Sequence, residues 1–379
     1  MRKRILDLIQ YTHLAERARN LSRKHRITVS VIEGMVRGTQ DRMRILLLGG
    51  GTNGAYLSHL IFGDDYSEIN RDTVWRWQMR GFISHQQADL LIAIKPGDAI
   101  ARYLHGRDVF EIPIWVRGEV DFESAAECQK KSRNIKTDLR RIRKNDLGYT
   151  VTRDPRLFDM FYHDMHVPHI KRVLKESAFL LQYEEIKKNM NQAELLLITK
   201  DDKYIAGGII LYEKDGARAW TLGVKDGDPE YVKMGALSAL FYYRIEYLRD
   251  KGFNRVHVGS SRGFLKNGAL QYKKKWGMRL ICERRGNFVI EVLKPSKAAR
   301  VFLENNPFIQ LRNNELYGMY FLEADKQYSE DQLREIYKSS YIPGMKRLNL
   351  CHTSGARDDV HIPYDLQENM AVNTAGMLI

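Results

Sequence analysis

Cysteine is scarce in this chain. Cys128, Cys282 and Cys351 are the only three in 379 residues, odd in number and far apart. That arithmetic excludes a disulfide framework and a cysteine-based zinc knuckle, and it leaves small buried hydrophobes as the expectation. Long apolar runs are missing too. None approaches the roughly 18 residues that span a bilayer. Met1-Arg2-Lys3-Arg4 leads into an amphipathic stretch, not into the apolar core of a signal peptide, so a cytoplasmic protein with no transmembrane segment is expected. Internal repeats and low-complexity tracts are absent to the eye, and acid is in deficit.

What is present points to a globular protein with anionic partners. With 44% hydrophobic residues the chain can bury a large core, as two domains or one duplicated unit. A formal charge of +14 fits a phosphate-rich cofactor, a nucleic acid or an acidic surface, and selects none of them.

Apolar spacing at Ile5, Leu8, Ile9 and Leu14 predicts a helix within Ile5–His25, followed by apolar runs at Ile27–Ile32 and Met43–Leu48. The second run enters Gly49-Gly50-Gly51-Thr52-Asn53-Gly54, which formally meets the dinucleotide-binding glycine pattern. That fingerprint expects a strand ending in an acid about 20 residues on. Asp64–Glu68 instead reads as a polar loop, and the next apolar run, Ala88–Ile94, comes late. A tight turn needing glycine is the competing reading. Two strands are expected between Ala88 and Val120, with Pro113 making the second an edge or breaking it.

A basic run follows, Lys130, Lys131, Arg133, Lys136, Arg140, Arg141, Arg143 and Lys144, broken among charged residues only by Asp138. Ile135, Leu139 and Ile142 give it one apolar stripe, so it is a helix with either a solvated face or a funnel for a polyanion. Asp154-Pro155 starts another helix. His163, His166 and His169 recur at every third residue, a spacing ill-suited to helical metal ligands and interrupted by Pro168, so no metal is expected.

Between Leu195 and Gly277 the order is most informative. Leu195–Thr199, Ile205–Tyr212 and Ala217–Val224 are strand-like runs separated by Asp201-Asp202 and Lys214-Asp215-Gly216, an antiparallel meander. A long helix carries Leu237, Leu240, Phe241, Ile245 and Leu248 on one face and stops at Lys251-Gly252. Its start is open between Asp228-Pro229 and Met234-Gly235-Ala236. The strand Arg255–Val258 follows, then Tyr272-Lys273-Lys274-Lys275-Trp276-Gly277.

Meander, long helix and further strand, from about Lys130 to Val292, resemble the Gcn5-related N-acetyltransferase (GNAT) superfamily, more narrowly its branch of Fem-type peptidoglycan transferases and polysaccharide-locus acyltransferases. Tyr272 to Gly277 matches that branch's aromatic-Lys-two-residue-aromatic-Gly motif. Asn134–Lys144 is similar to its basic helix, and Gly259-Ser260-Ser261-Arg262 falls at its post-strand glycine loop. The superfamily's phosphate loop is degenerate here, with Val232 at its basic position and Leu237 at its last. The resemblance implies an α+β fold, a mixed and largely antiparallel sheet flanked by helices, in two tandem or divergent GNAT-like halves. The division expected is an N-terminal α/β domain over 1–125, a GNAT-like acyltransferase domain over 126–295, and a C-terminal helical extension and tail over 296–379.

The resemblance further implies an acyl-coenzyme A co-substrate, acetyl-coenzyme A or another, whose pyrophosphate rests where the strand meets the long helix: Val224, Lys225, Met234, Gly235 and Ala236. Lys273 would hold donor phosphate or developing negative charge, with Tyr272 beside it. Lys274 and Lys275 would reach the same anion or face water, and Trp276 would anchor the motif as a strand in the core. His257, Asp226 and Glu283 are the general-base candidates; a strand histidine is also a common core residue. Beyond Val292, helices are signalled at Lys294-Pro295-Ser296 and by the capping box at Ser329–Gln332. The aromatics Tyr317, Tyr320, Phe321, Tyr328, Tyr337 and Tyr341 serve core packing or an acceptor cleft, and Thr353–Ile379 reads as an extended or docked tail. Three functions follow. These are N-acyl transfer from acyl-coenzyme A to a small-molecule or peptide-like amine (an amino sugar, amino acid or peptide), Fem-like aminoacyl transfer from tRNA, and a nucleotide-binding module built on Gly49–Gly54.

Overall fold

The computed structural model describes residues 25–174, 180–283, 286–323, 326–353 and 360–373. The helix expected over Ile5–His25 lies almost entirely outside the described residues. In chain order the first strands are β1 (Arg26–Met35), β2 (Arg42–Leu48), β3 (Tyr66–Trp75), β4 (Leu90–Ile94), β5 (Phe110–Pro113), β6 (Val116–Asp121), β7 (Gly148–Thr152), β8 (Ala193–Lys200) and β9 (Lys203–Glu213). Then come β10 (Gly216–Val224), β11 (Arg255–Ser261), β12 (Met278–Ile281), β13 (Asn287–Val292), β14 (Phe308–Arg312), β15 (Glu315–Leu322), β16 (Arg347–His352) and β17 (Met370–Asn373).

Among the described residues these strands form three sheets, in the orders β3-β1-β2-β4-β13-β5, β12-β6-β11-β10-β9-β8-β7 and β14-β15-β16-β17. The fold is mixed α and β with largely antiparallel pairing, as the motifs imply. The first two sheets repeat one plan. In the first, β1 and β2 are antiparallel, the helix Gly51–Phe62 follows, and β4 lies parallel to β2. In the second, β9 and β10 are antiparallel, the helix Ala236–Asp250 follows, and β11 lies parallel to β10. The halves then trade strands: β13 inserts between β4 and β5, and β6 between β11 and β12, every contact antiparallel. Chain order and sheet membership diverge at Asn287–Val292, where β13 returns to the first sheet after β6 to β12 have filled the second.

Local chemistry accounts for the second sheet. The β8–β9 turn holds Asp201 at φ 46° and Asp202 at φ 61°, the doubly left-handed geometry that a two-residue hairpin needs and that aspartate tolerates. Leu240, Ile245 and Leu248 of the long helix are buried against Leu196, Ile198 and Ile210 of the sheet. The open question of the helix start resolves as two helices. Asp228 caps Pro229–Met234 by accepting from the Glu230 amide at 2.9 Å, and Gly235, at φ 103°, breaks the chain into the register of Ala236–Asp250.

Several readings are corrected. Asp64–Glu68 is not simply a polar loop, because β3 begins at Tyr66; its first eight residues are exposed, so no alternation marked it. Tyr272–Lys275 lie on the helix Gly268–Lys275, not on a strand, and Trp276 is its C-terminal cap. Of the cysteines only Cys351 is buried; Cys128 is half-buried and Cys282 exposed. Past residue 295 the two expected helices are present, Lys297–Asn305 and Glu330–Ser340, and the four-stranded third sheet joins them. Part of the expected tail is β17, paired to β16; residues 354–359 and 374–379 fall outside the described set. Pro113 does end an edge strand.

Candidate functional site

The parallel pair β10/β11 registers at a single position, Arg218 with His257, although β10 runs on to Val224 and β11 to Ser261. The strands part beyond it. Gly259 of β11 still lies against β10, where a Cβ would stand 3.1 Å from the Ala219 carbonyl, so the gap between the strands lies past that point, toward Val224 and Ser261.

The three consecutive lysines have three different jobs. Lys273 reaches the end of β11, donating to the Ser260 carbonyl at 2.8 Å and the Ser261 hydroxyl at 2.9 Å. Loss of water around its ammonium, with the Arg244 guanidinium adding repulsion, brings its pKa down to about 7. Lys274 turns the other way and donates at 2.6 Å to the Lys338 carbonyl in the last turn of Glu330–Ser340, the negative end of that helix. Burial pulls it down to about 8. Lys275 is ion-paired with the buried Asp138 of the helix Arg133–Lys144. Asp138, the lone acid of the basic run, is there for that pair. Trp276 is fully buried, stacked on Phe241 at 5.0 Å, so it anchors the helix as expected. Tyr272 meets Phe241 edge-on at 5.8 Å, and its hydroxyl lies 3.3 Å from the Ser238 hydroxyl; burial raises it to about 12, so it stays protonated. Of the predicted group only Lys273, with Tyr272 behind it, addresses the gap.

One residue of the site went unread. Arg244 lies on the sheet-facing side of Ala236–Asp250, 4% exposed, and its Nε and Nη2 have no hydrogen-bond partner among the described residues. Its guanidinium passes over Gly208 of β9, where a Cβ would stand 2.4 Å from Nη2 and 3.0 Å from the Thr221 carbonyl of β10. Only glycine leaves that room. Burial lowers Arg244 to about 10. Its position was legible as a charge inside the apolar stripe Leu237, Leu240, Phe241, Ile245, Leu248.

The donor-binding candidates at the helix junction divide by exposure. Val224 and Ala236 are fully buried and offer backbone only, Lys225 is half-buried, and the Met234 carbonyl is taken by Asn145 Nδ2 at 3.0 Å. Gly235 packs against Arg141 and Ile142, so the basic helix flanks this junction. Its Arg133, Lys136, Arg140, Arg141, Arg143 and Lys144 are exposed.

The general-base candidates are scattered. His257 is buried with neither ring nitrogen hydrogen-bonded; Asp215 Oδ2 stands 3.5 Å from its Nε2. It sits at the paired end of β11, three residues before the Lys273 contact. Glu283 is ion-paired to Arg117 at 2.6 Å, and Asp226 is exposed. His166 Nδ1 is 2.8 Å from the Leu222 carbonyl and 2.9 Å from the Thr221 hydroxyl, and burial lowers both it and His169. No group of three histidine, cysteine or acidic side chains able to hold a metal occurs among the described residues.

Gly49 and Gly50 join β2 to the helix Gly51–Phe62, and the rest of the Gly49–Gly54 segment is that helix's first turn. It faces the second sheet: Asn53 Oδ1 accepts from Arg262 at 2.7 Å, and Arg262 lies over Tyr56 (4.2 Å) and Trp115 (3.9 Å). A separate open cleft of about 310 Å³, lined by Tyr320, Lys326, Tyr328, Asp331, Gln332, Glu335 and Ile336, lies on the third sheet's elements, apart from Lys273 and Arg244. No helix among the described residues is long and apolar enough to cross a membrane.

No protein-family model matches the chain, and no curated protein matches it. Among solved structures it is similar to L-PGS from Bacillus licheniformis, at 11% identity over 72% of this chain and 86% of that one, TM-score 0.35. It is similar to FemX at 10% identity, 70% and 85% coverage and TM-score 0.35. It is also similar to a GCN5-related N-acetyltransferase-like protein from Streptococcus suis at 10%, 70% and 83%, TM-score 0.28. At these identities and TM-scores the likenesses assign no residue a role.

Proposed function

We propose that the chain is an N-acyltransferase that moves an acyl group from an acyl-coenzyme A to an amine. The observation that carries this is Lys273, an amine near neutrality at pH 7, held at the gap between β10 and β11 by Ser260 and Ser261. Aminolysis of a thioester needs a deprotonated amine and a stabilised tetrahedral oxyanion. In its charged form Lys273 faces the developing oxyanion, and His257, with Asp215 beside it, is the proton acceptor on β11.

The gap receives the thioester arm in this reading, and the exposed basic helix beside Gly235 receives the donor's phosphates. That helix also favours the second reading, an aminoacyl-tRNA donor, because six exposed cations exceed what one pyrophosphate needs. The nucleotide-binding module at Gly49–Gly54 has no such support, since Arg262 already occupies Asn53.

A donor screen across acyl thioesters, charged tRNAs and dinucleotides tests this. Lys273→Ala should lose roughly 100-fold or more of turnover with the winning donor while remaining folded by circular dichroism. Undiminished turnover in that variant would remove Lys273 from the chemistry.

A further inference from the structure

Arg244 is the group that the acyl-transfer reading leaves unused. A buried guanidinium is ordinarily paired, because stripping it of water costs several kcal/mol. The other buried arginines are met: Arg117 by Glu283, and Arg262 by the Asn53 amide oxygen and the rings of Tyr56 and Trp115. Buried Glu194 is likewise met by Arg153, Tyr212, Tyr247 and Lys251. Among the described residues Arg244 has no carboxylate partner; the Tyr272 phenol is the one group that perturbs it, and Arg244 is the one that perturbs Lys273. The two cations flank one place. Arg244 rises against Gly208 and Thr221 on the β9–β10 side, and Lys273 comes down on Gly259, Ser260 and Ser261 on the β11 side, where the strands diverge. The glycine at 208 keeps room for the arginine at a cost in backbone freedom, while nothing in the protein rewards it.

From this we infer that Arg244 and Lys273 form a buried receptor for an oxyanion fixed on the substrate, a carboxylate or a phosphate, between β10 and β11. The guanidinium offers a planar fork and the lysine a point charge, so a bidentate oxyanion satisfies both. Binding converts two desolvated, mutually repelling cations into a neutralised cluster. The substrate is therefore an acidic one: either the acyl group carries a distal carboxylate or phosphate, or the acceptor is an amino acid or an amine phosphate ester. The substrate's identity rests on the acyl-transfer reading; the receptor itself does not.

The test is thermal unfolding of the full chain in chloride, inorganic phosphate or succinate at matched ionic strength, for wild type, Arg244→Met and Arg244→Lys. Phosphate or succinate should raise the wild-type Tm saturably, and the responding anion names the source. In chloride, Arg244→Met should unfold at or above the wild-type temperature, because it removes an uncompensated charge, and its anion response should vanish. Arg244→Lys should bind the same anion about tenfold or more weakly. The inference fails if the anions shift wild type and Arg244→Met equally. It fails too if Arg244→Met melts lower in chloride or does not fold while Arg244→Lys retains wild-type anion affinity, since Arg244 is then a structural cation. Succinyl- against acetyl-coenzyme A separates the two claims. An Arg244-dependent anion response without turnover of any donor leaves the receptor standing and removes the transferase; Lys273-dependent turnover with no anion response in wild type removes the receptor alone.

Discussion

The two halves share a strand–helix–strand order and spend it in opposite ways. In the first, β2 and β4 are zipped at Ile45–Leu90, Leu46–Leu91, Leu47–Ile92 and Leu48–Ala93, and all eight of these side chains are buried hydrophobes. In the second, the matching pair touches at Arg218–His257 and opens, and the space beside it holds Arg244, Lys273 and Tyr272. Same plan, different interior. The first half has sealed its sheet with leucine and isoleucine, and the second has kept its sheet open at the cost of desolvated charge. The glycine pattern that most invited a nucleotide reading belongs to the sealed half.

The largest effect should come from opening the closed pair. Leu46→Ala removes a fully buried side chain from a sheet covered on both faces, and should cost about 3–4 kcal/mol by urea unfolding. Lys273→Met, its counterpart in the open half, should cost nothing or stabilise. If both substitutions destabilise equally, the division into a sealed and a strained half is wrong.

Acid–base titration sharpens the contrast. Lys273 in the folded chain titrates near 7, well below the ordinary lysine value. From about pH 7 up to that ordinary value the unfolded chain holds a proton that the folded chain has released, so this group makes stability rise with pH. Below about 7 both states hold it and the full penalty remains. Lys274, brought to about 8, adds a smaller slope of the same sign. Lys273→Met should therefore flatten the rise in Tm between pH 7 and 10 without abolishing it. An unchanged slope would mean that the ammonium is solvated.

Much of the open half was legible because it obeys local rules. Apolar and β-branched runs bounded by turn residues marked β8, β9 and β10, and the 3.6-residue stripe marked the long helix with its stop at Lys251-Gly252. The strand exchange was not legible: β6 and β13 pair with residues well over a hundred positions away, and pairing at that distance leaves no local trace. The helix at Gly268–Lys275 was hidden because Leu270 and Tyr272 are its only large nonpolar side chains, too few to show a period, and it docks through Leu270 and the Trp276 that caps it. The site was half visible. Lys273 stood out by motif, whereas Arg244 and Asp138 each broke a pattern, a charge in an apolar stripe and an acid in a basic run, and such breaks mark buried pairs or ligand sites.

The smallest effect concerns one glycine beside each parallel pair, Gly50 just past β2 and Gly259 within β11. Gly50 in the sealed half has φ −142° and nothing within 4 Å of a Cβ, so Gly50→Ala should change stability by less than about 0.5 kcal/mol. Gly259, at the gap, sits at φ +69°, with the Ala219 carbonyl 3.1 Å and Lys273 Nζ 3.9 Å from a Cβ. Gly259→Ala should cost about 1–2 kcal/mol by chemical denaturation, since it combines left-handed strain with a tight contact. It should also disturb anion binding, because the strained backbone carries the Ser260 carbonyl that holds Lys273. Were Gly50→Ala the costlier change, the glycine-rich turn would have a conformational demand that its open surroundings do not show, and the sealed half would regain a claim to a ligand.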